Sequence, residues 1–164
     1  MARVNIDGIK SAIKTILDTA NTTTAAVDLS GGMSTRVRQV SKVHPLRIAQ
    51  QPSLIPCVTV TADRKSVKPL TIGNQSNGIR ESLFTLQIIG ITYEPFFNDL
   101  TEDQGAENTE RLMENIEEIL RNNITLSNTV AWCFPTQVEY DEIRYDEQTH
   151  LRAGIMSLDC KIHY

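Results

Sequence analysis

Apolar residues recur near the start of the chain at Ile6, Ile9, Ala12, Ile13, Ile16 and Leu17. On a helix of about 3.6 residues per turn this spacing stacks them into one stripe. Asn5 stands where it caps such a helix, and Asp7 falls in the first turn, next to the positive end of the backbone dipole. The helix is predicted to end near Asn21. Ala25–Leu29 is short and β-prone, and Ser30-Gly31-Gly32 stops it, so a short strand is expected there.

From Met33 to Ser53 the pattern changes: Arg36, Arg38, Lys42 and Arg47 are interleaved with Val37, Val40 and Val43. With no helix caps, residues 33–53 are expected to form a long loop with an extended arm. Pro52 and Pro56 bracket Leu54-Ile55, and Cys57-Val58-Thr59-Val60-Thr61 has the β-branched content of a strand that begins after a proline. The Lys-, Ser-, Asn- and Gly-rich stretch at residues 63–78 reads as a second long loop. Loops of this length in a compact domain are uncommon and are usually functional or disordered.

In Glu81–Glu94, Phe84, Leu86, Ile88 and Gly90 fall on one face while Leu83, Ile89, Ile91 and Tyr93 fall on the other. A strand apolar on both faces belongs in the middle of a sheet. Thr101 and Gln104 form a capping box for a helix whose stripe is Leu112, Met113, Ile116, Ile119 and Leu120. Glu107 with Arg111, and Glu117 with Arg121, add i,i+4 ion pairs on its wet side. Strands are expected around Val130–Phe134 and Thr136–Tyr145, with a polar turn next at Asp146–Thr149. In the last strand Met156, Leu158, Cys160, Ile162 and Tyr164 alternate with polar residues, the period of a half-buried strand. These elements predict an α+β fold, a mixed or antiparallel sheet of about five strands with two amphipathic helices packed on one face.

Composition narrows the class further. At 164 residues, with 40% hydrophobic and 22% charged residues, the chain is expected to be one domain over residues 1–164. A domain of this size buries roughly 70% of its unfolded surface without a staple. A net charge of −4 argues against a face built to grip nucleic-acid phosphates. No secretory leader or membrane-length apolar run is evident in the residues read, so no membrane partner is expected. Cys57, Cys133 and Cys160, widely spaced and without a C-x-x-C pair, read as reduced, buried thiols.

Sites for chemistry are sparse. Ser30-Gly31-Gly32-Met33-Ser34-Thr35 lacks the Gly-Lys-Ser/Thr end of a phosphate loop and reads as a turn. Cys133 lies between Trp132 and Phe134, an apolar setting expected to raise its pKa. Glu139, Asp141, Glu142, Arg144, Asp146, Glu147 and His150 form the densest ionisable cluster, expected to be the solvated tip of a hairpin. As oxygen ligands they would make a metal-dependent hydrolase, the enzymatic alternative. His44 and His163 are expected in a loop and on a polar strand face. Catalytic residues, cofactors and metals are therefore not expected, and the protein is not read as an enzyme. Apolar groups rimmed by charge mark contact surfaces instead. On that ground Arg36, Val37, Arg38, Val40, Arg47, Phe96 and Phe97 are the candidate interface.

The order of elements, an N-terminal amphipathic helix, a long polar excursion, the proline-led strand Leu54-Ile55-Pro56-Cys57-Val58-Thr59-Val60, a long strand after Arg80, an acidic helix and a closing hairpin, resembles the tail terminator (tail completion) proteins of long-tailed bacteriophages. The resemblance spans nearly the whole chain and implies a homohexameric ring at the head-proximal end of the tail tube. Such a ring stops tube polymerisation and gives the head connector, or neck protein, a docking surface. It further implies self-association, a tail tube protein as partner, and a place in the virion's neck region after assembly in the host cytoplasm. DNA would pass through the ring without specific binding, which an acidic protein suits because it repels phosphate. A head completion protein on the portal side is the alternative within the same class.

Overall fold

A computed structural model describes residues 5–69, 80–95, 104–144 and 149–163. Helix α1 spans Ile6–Ala20. It opens as its sequence predicts, with Asn5 Oδ1 accepting the Gly8 N–H at 2.9 Å. Ile9, Ile13 and Leu17 are its buried stripe. Asn21 ends the helix and ties it to the next segment: its Nδ2 donates to the Val37 carbonyl at 2.8 Å, and its Oδ1 accepts from the Ser30 hydroxyl at 2.7 Å.

The expected strand at Ala25–Leu29 is absent; these residues run through bends and turns. Leu29 is fully buried, but its backbone N–H bonds to Ala20, at the end of α1, rather than to a strand. The expected arm at 33–53 is also folded. It holds β1 (Gln39–Ser41), α2 (Pro45–Ala49) and a 3-10 turn at Pro52–Leu54. Pro45 at the first helical turn suits α2, and His44 caps it by accepting the Leu46 N–H.

The remaining elements are β2 (Cys57–Pro69), β3 (Arg80–Pro95), α3 (Gln104–Arg121), β4 (Trp132–Arg144) and β5 (Thr149–His163). They form a mixed five-stranded sheet in the order β1-β2-β3-β5-β4, with β1 parallel to β2 and the other pairs antiparallel. The long strand at 80–95 is central, as its two apolar faces require. Two expectations change here. Residues 63–69 belong to β2 rather than to a loop, and the two strands expected at 130–134 and 136–145 are one strand interrupted by a bulge between Pro135 and Gln137. Thr101 and residues 70–79 lie outside the described residues.

Helices α1 and α3 cover one face of the sheet. There Val58, Val60, Phe84, Leu86, Ile88, Met156 and Leu158 meet Ile9, Ile13, Leu17, Leu112, Met113 and Ile116 in the main core. A smaller cluster lies under α2, where Ile48 and Ile55 pack with Cys57, Ile89, Ile91 and Leu151.

Where α3 crosses the sheet, β3 and β5 both place a glycine, and these two, Gly90 and Gly154, are register partners. A Cβ on Gly154 would overlap Met113 Cγ and stand 2.7 Å from its Sδ, and one on Gly90 would stand 2.8 Å from Leu112 Cδ2. The missing side chains let the helix sit close to the sheet. Next to this saddle, the buried Thr92 and Thr109 hydroxyls bond at 2.6 Å, and the Thr109 hydroxyl also donates to the Gly105 carbonyl at 2.8 Å.

Gly154→Ala is expected to destabilise the fold by about 1–3 kcal/mol, the usual cost of overfilling a packed core. Met113→Ala removes the opposing side chain, so the double variant should lose less than the sum of the two single losses. Denaturant unfolding of all four proteins measures this; strict additivity would rule out the contact as the cause.

Candidate functional site

On one side the sheet ends in β4, whose outer edge faces no other strand among the described residues. Trp132, Phe134 and Tyr140 on this strand are 39%, 44% and 54% exposed. The Arg121 guanidinium of α3 lies 5.0 Å from the Phe134 ring centroid and also pairs with Glu117 at 2.7 Å. Burial raises the Tyr140 phenol above its ordinary pKa, and Glu110, Glu114 and Glu117 of α3 push it further in the same direction. Tyr140 therefore stands beside the acidic face of α3, on the side of the sheet that the helix covers.

On β4 itself, Glu139 and Asp141 are exposed, while Glu142 pairs with Arg152 at 3.0 Å and with His150. Alternation along the strand puts Glu139 and Asp141 on one face and Glu142 on the other. Among the described residues no three His, Cys, Asp or Glu side chains converge as metal ligands do. Asp146 and Glu147 lie outside the described residues.

The opposite side of the sheet ends in β1, with the outer half of β2 beyond it. Here the candidate interface divides. Val37 and Val40 are buried in the main core and are corrected from surface to interior. Their partners in the alternation, Arg36 and Arg38, face out. Arg36 is not free: both terminal nitrogens hold Asp28, at 2.8 and 2.9 Å, and Nη2 also reaches Asn21 Oδ1 at 3.2 Å. Arg38 donates to the Ser53 carbonyl at 2.8 Å, and Arg47 is exposed on α2. Neither Arg38 nor Arg47 is matched with a carboxylate among the described residues. Val43 and Leu46, outside the candidate set, are 42% and 64% exposed beside them. Phe96 and Phe97 lie outside the described residues.

The three cysteines are free and buried. Desolvation raises the Cys57 thiol to about 12. Cys133 and Cys160 face each other across β4 and β5. Hydrogen bonding between the thiols lowers Cys133 against the opposing effect of its burial, and raises Cys160, which burial raises further. The apolar flanks of Cys133 therefore do not set its direction; the opposing thiol, distant in sequence, does. An open cleft of about 630 Å³ runs between the end of α1, residues 22–27 and the end of α3, lined by hydroxyls, amides and aliphatic groups with no charged side chain.

No protein-family model matches the chain, and no curated protein matches it. No described helix is long and apolar enough to cross a membrane.

The Arg36–Asp28 clasp closes the basic edge onto the body, with the Asp28 carboxylate also accepting the Ser30 N–H at 3.0 Å. The Arg36 hydrogen bond holds Asp28 below the usual carboxylate range, against a smaller opposing effect of burial. A depressed folded pKa contributes stability that is fully present above the unfolded value and drains away as pH falls through the folded one. Asp28→Asn is therefore expected to cost about 1 kcal/mol near neutral pH, a figure reduced for the pair's exposure. The gap to the parent should close as pH falls through and below the lowered folded pKa of Asp28. Thermal melts across pH measure it, and a pH-independent gap would exclude the ion pair as its source.

Proposed function

We propose that this chain is a structural assembly protein of the tail terminator type. Its copies join through their sheet edges into a ring, six-membered by the family resemblance, that caps the head-proximal end of a tail tube and presents a face to the head connector. The observation that carries this reading is the β4 edge, a 13-residue strand bearing three partly exposed aromatic side chains and paired with no other strand among the described residues on its outer side, where the Cys133 N–H bonds to the Ile124 carbonyl of the preceding turn. Natural sheets blunt such edges because unpaired N–H and C=O groups recruit other chains. Aromatic groups there, with charge around them, have the composition of an interface core and rim. The order of helices and strands, with the sheet ending at both sides in a strand that has no further strand partner among the described residues, supports the same reading. A subunit with one interface at each side of its sheet makes heterologous contacts, which close into a ring when the rotation per copy divides the circle.

Native mass spectrometry and light scattering on the purified protein, alone and with the tail tube protein of the same virus, test the proposal. A closed oligomer of one size is expected, together with tubes that stop growing when the protein is added. A strictly monomeric protein that leaves tube growth unchanged would sink it. Binding to the portal side in place of the tube would reassign it to head completion.

A further inference from the structure

The two sides of the sheet carry opposite charge. Residues 29–69, which build β1, α2 and β2, hold seven cations and one carboxylate, Asp63. Residues 104–144, which build α3 and β4, hold eight carboxylates and three cations. Internal pairing removes part of each set: Arg36 is matched by Asp28 and Lys42 by Asp7, while Glu107, Glu117 and Glu142 are matched by Arg111, Arg121 and Arg152.

The unmatched charges stay separated. Among the described residues, Arg38, Arg47, Arg64 and Lys65 have no carboxylate partner on the first side. On the second, Glu110, Glu114, Glu118, Glu139 and Asp141 have no cation. Strand β1 pairs only with Cys57–Thr59, so the outer half of β2, where Arg64 and Lys65 come after a bulge, continues the basic edge past the end of β1. Each side also has exposed apolar groups, Val43 and Leu46 on one and Trp132, Phe134 and Tyr140 on the other.

We infer that copies of this chain associate head to tail, the acidic α3–β4 edge of one copy seating on the basic β1–α2–β2 edge of the next. The inference rests on the self-assembly part of the proposed function and names the two surfaces that meet. Charge decides the pairing. A symmetric β4-to-β4 contact would bring the unmatched Glu139 and Asp141 of one copy, with Glu110 and Glu114 beside Tyr140, against the same groups of the other, and like charges set across an interface strongly oppose binding. A basic-to-basic contact is opposed in the same way. Only the heterologous contact brings unmatched groups of opposite sign together and also covers the apolar residues on both sides. Because every copy keeps one free edge of each sign, association continues until it closes on itself. It also has an electrostatic on-rate and weakens as salt screens the edges.

Charge reversal on one edge at a time tests this. Glu139→Lys/Asp141→Lys reverses the acidic edge, and Arg47→Glu/Arg64→Glu reverses the basic one; matching circular dichroism and melting temperatures confirm that both variants fold. In sedimentation analysis at low salt the parent is expected to assemble. Each variant alone should associate roughly tenfold or more weakly, and an equimolar mixture should regain association, because each variant then meets a complementary edge. A monomeric parent, variants that assemble like the parent, or a mixture that fails to recover would each overturn the inference. Assembly rescued by mixing but without effect on tube growth would keep the inference and remove the terminator reading. A parent ring that arrests tubes and is indifferent to the charge reversals would do the reverse.

Discussion

The approach of α3 to the sheet at the Gly90–Gly154 pair sets the position of almost everything else. With any side chain at Gly154, the Met113 side chain would have to move, in a packed core that leaves a displaced thioether little free volume. Holding α3 down at this point presses Leu112, Ile116 and Leu120 into the main core. It also fixes the opposite face of the helix, so that Glu110, Glu114 and Glu117 stand over the β4 side of the sheet, around Tyr140. The acidic edge is thus a consequence of the packing inside it. Two glycines on neighbouring strands determine where a row of surface carboxylates ends up.

How legible each element is in the sequence depends on how many of its faces are buried. Helices α1 and α3 bury one face each, so their stripes are visible, and so is the cap at Asn5. β3 buries both faces and β5 alternates, and the pattern places both correctly. β1 is invisible because three residues carry no period; its place comes from the ladder it makes with Cys57–Thr59 and from Val40 reaching the core. The outer half of β2 reads as a loop because Asp63–Ser66 are all exposed. A strand exposed along this stretch has the composition of a loop, and only its backbone ladder with β3 reveals it.

The candidate interface is legible in part, and for an instructive reason. Arginines alternating with valines from Arg36 to Val40 have the look of one exposed, mixed surface. Alternation is also the signature of an extended segment with one wet and one dry face, and it holds over Arg36–Arg38, with Val37 inward and both arginines outward; Val40, three residues on, breaks the period yet is buried in the same core. The acidic side shows in the sequence as two separate features, an acidic helix and a cluster at Glu139–His150. Its extent needs the fold, since Glu110 and Glu114 are distant in sequence from Tyr140. The thiol pair shows the same limit, because Cys160 faces Cys133 across a strand pairing that no local pattern announces.

A long open strand with exposed aromatics is a hazard for a protein that stays monomeric, and its carboxylates can be read simply as protection against edge-to-edge aggregation. That account explains why Glu139 and Asp141 lack cations, since their mutual repulsion would be the point of them. It does not explain the other side of the sheet, where Arg38, Arg47, Arg64 and Lys65 are equally unmatched and of opposite sign. Protection by self-repulsion calls for one sign on both edges, because edges of opposite sign attract one another between copies. A separation of charge across the sheet forbids the symmetric contacts and favours the staggered one, so the same residues that block random pairing select a directed one.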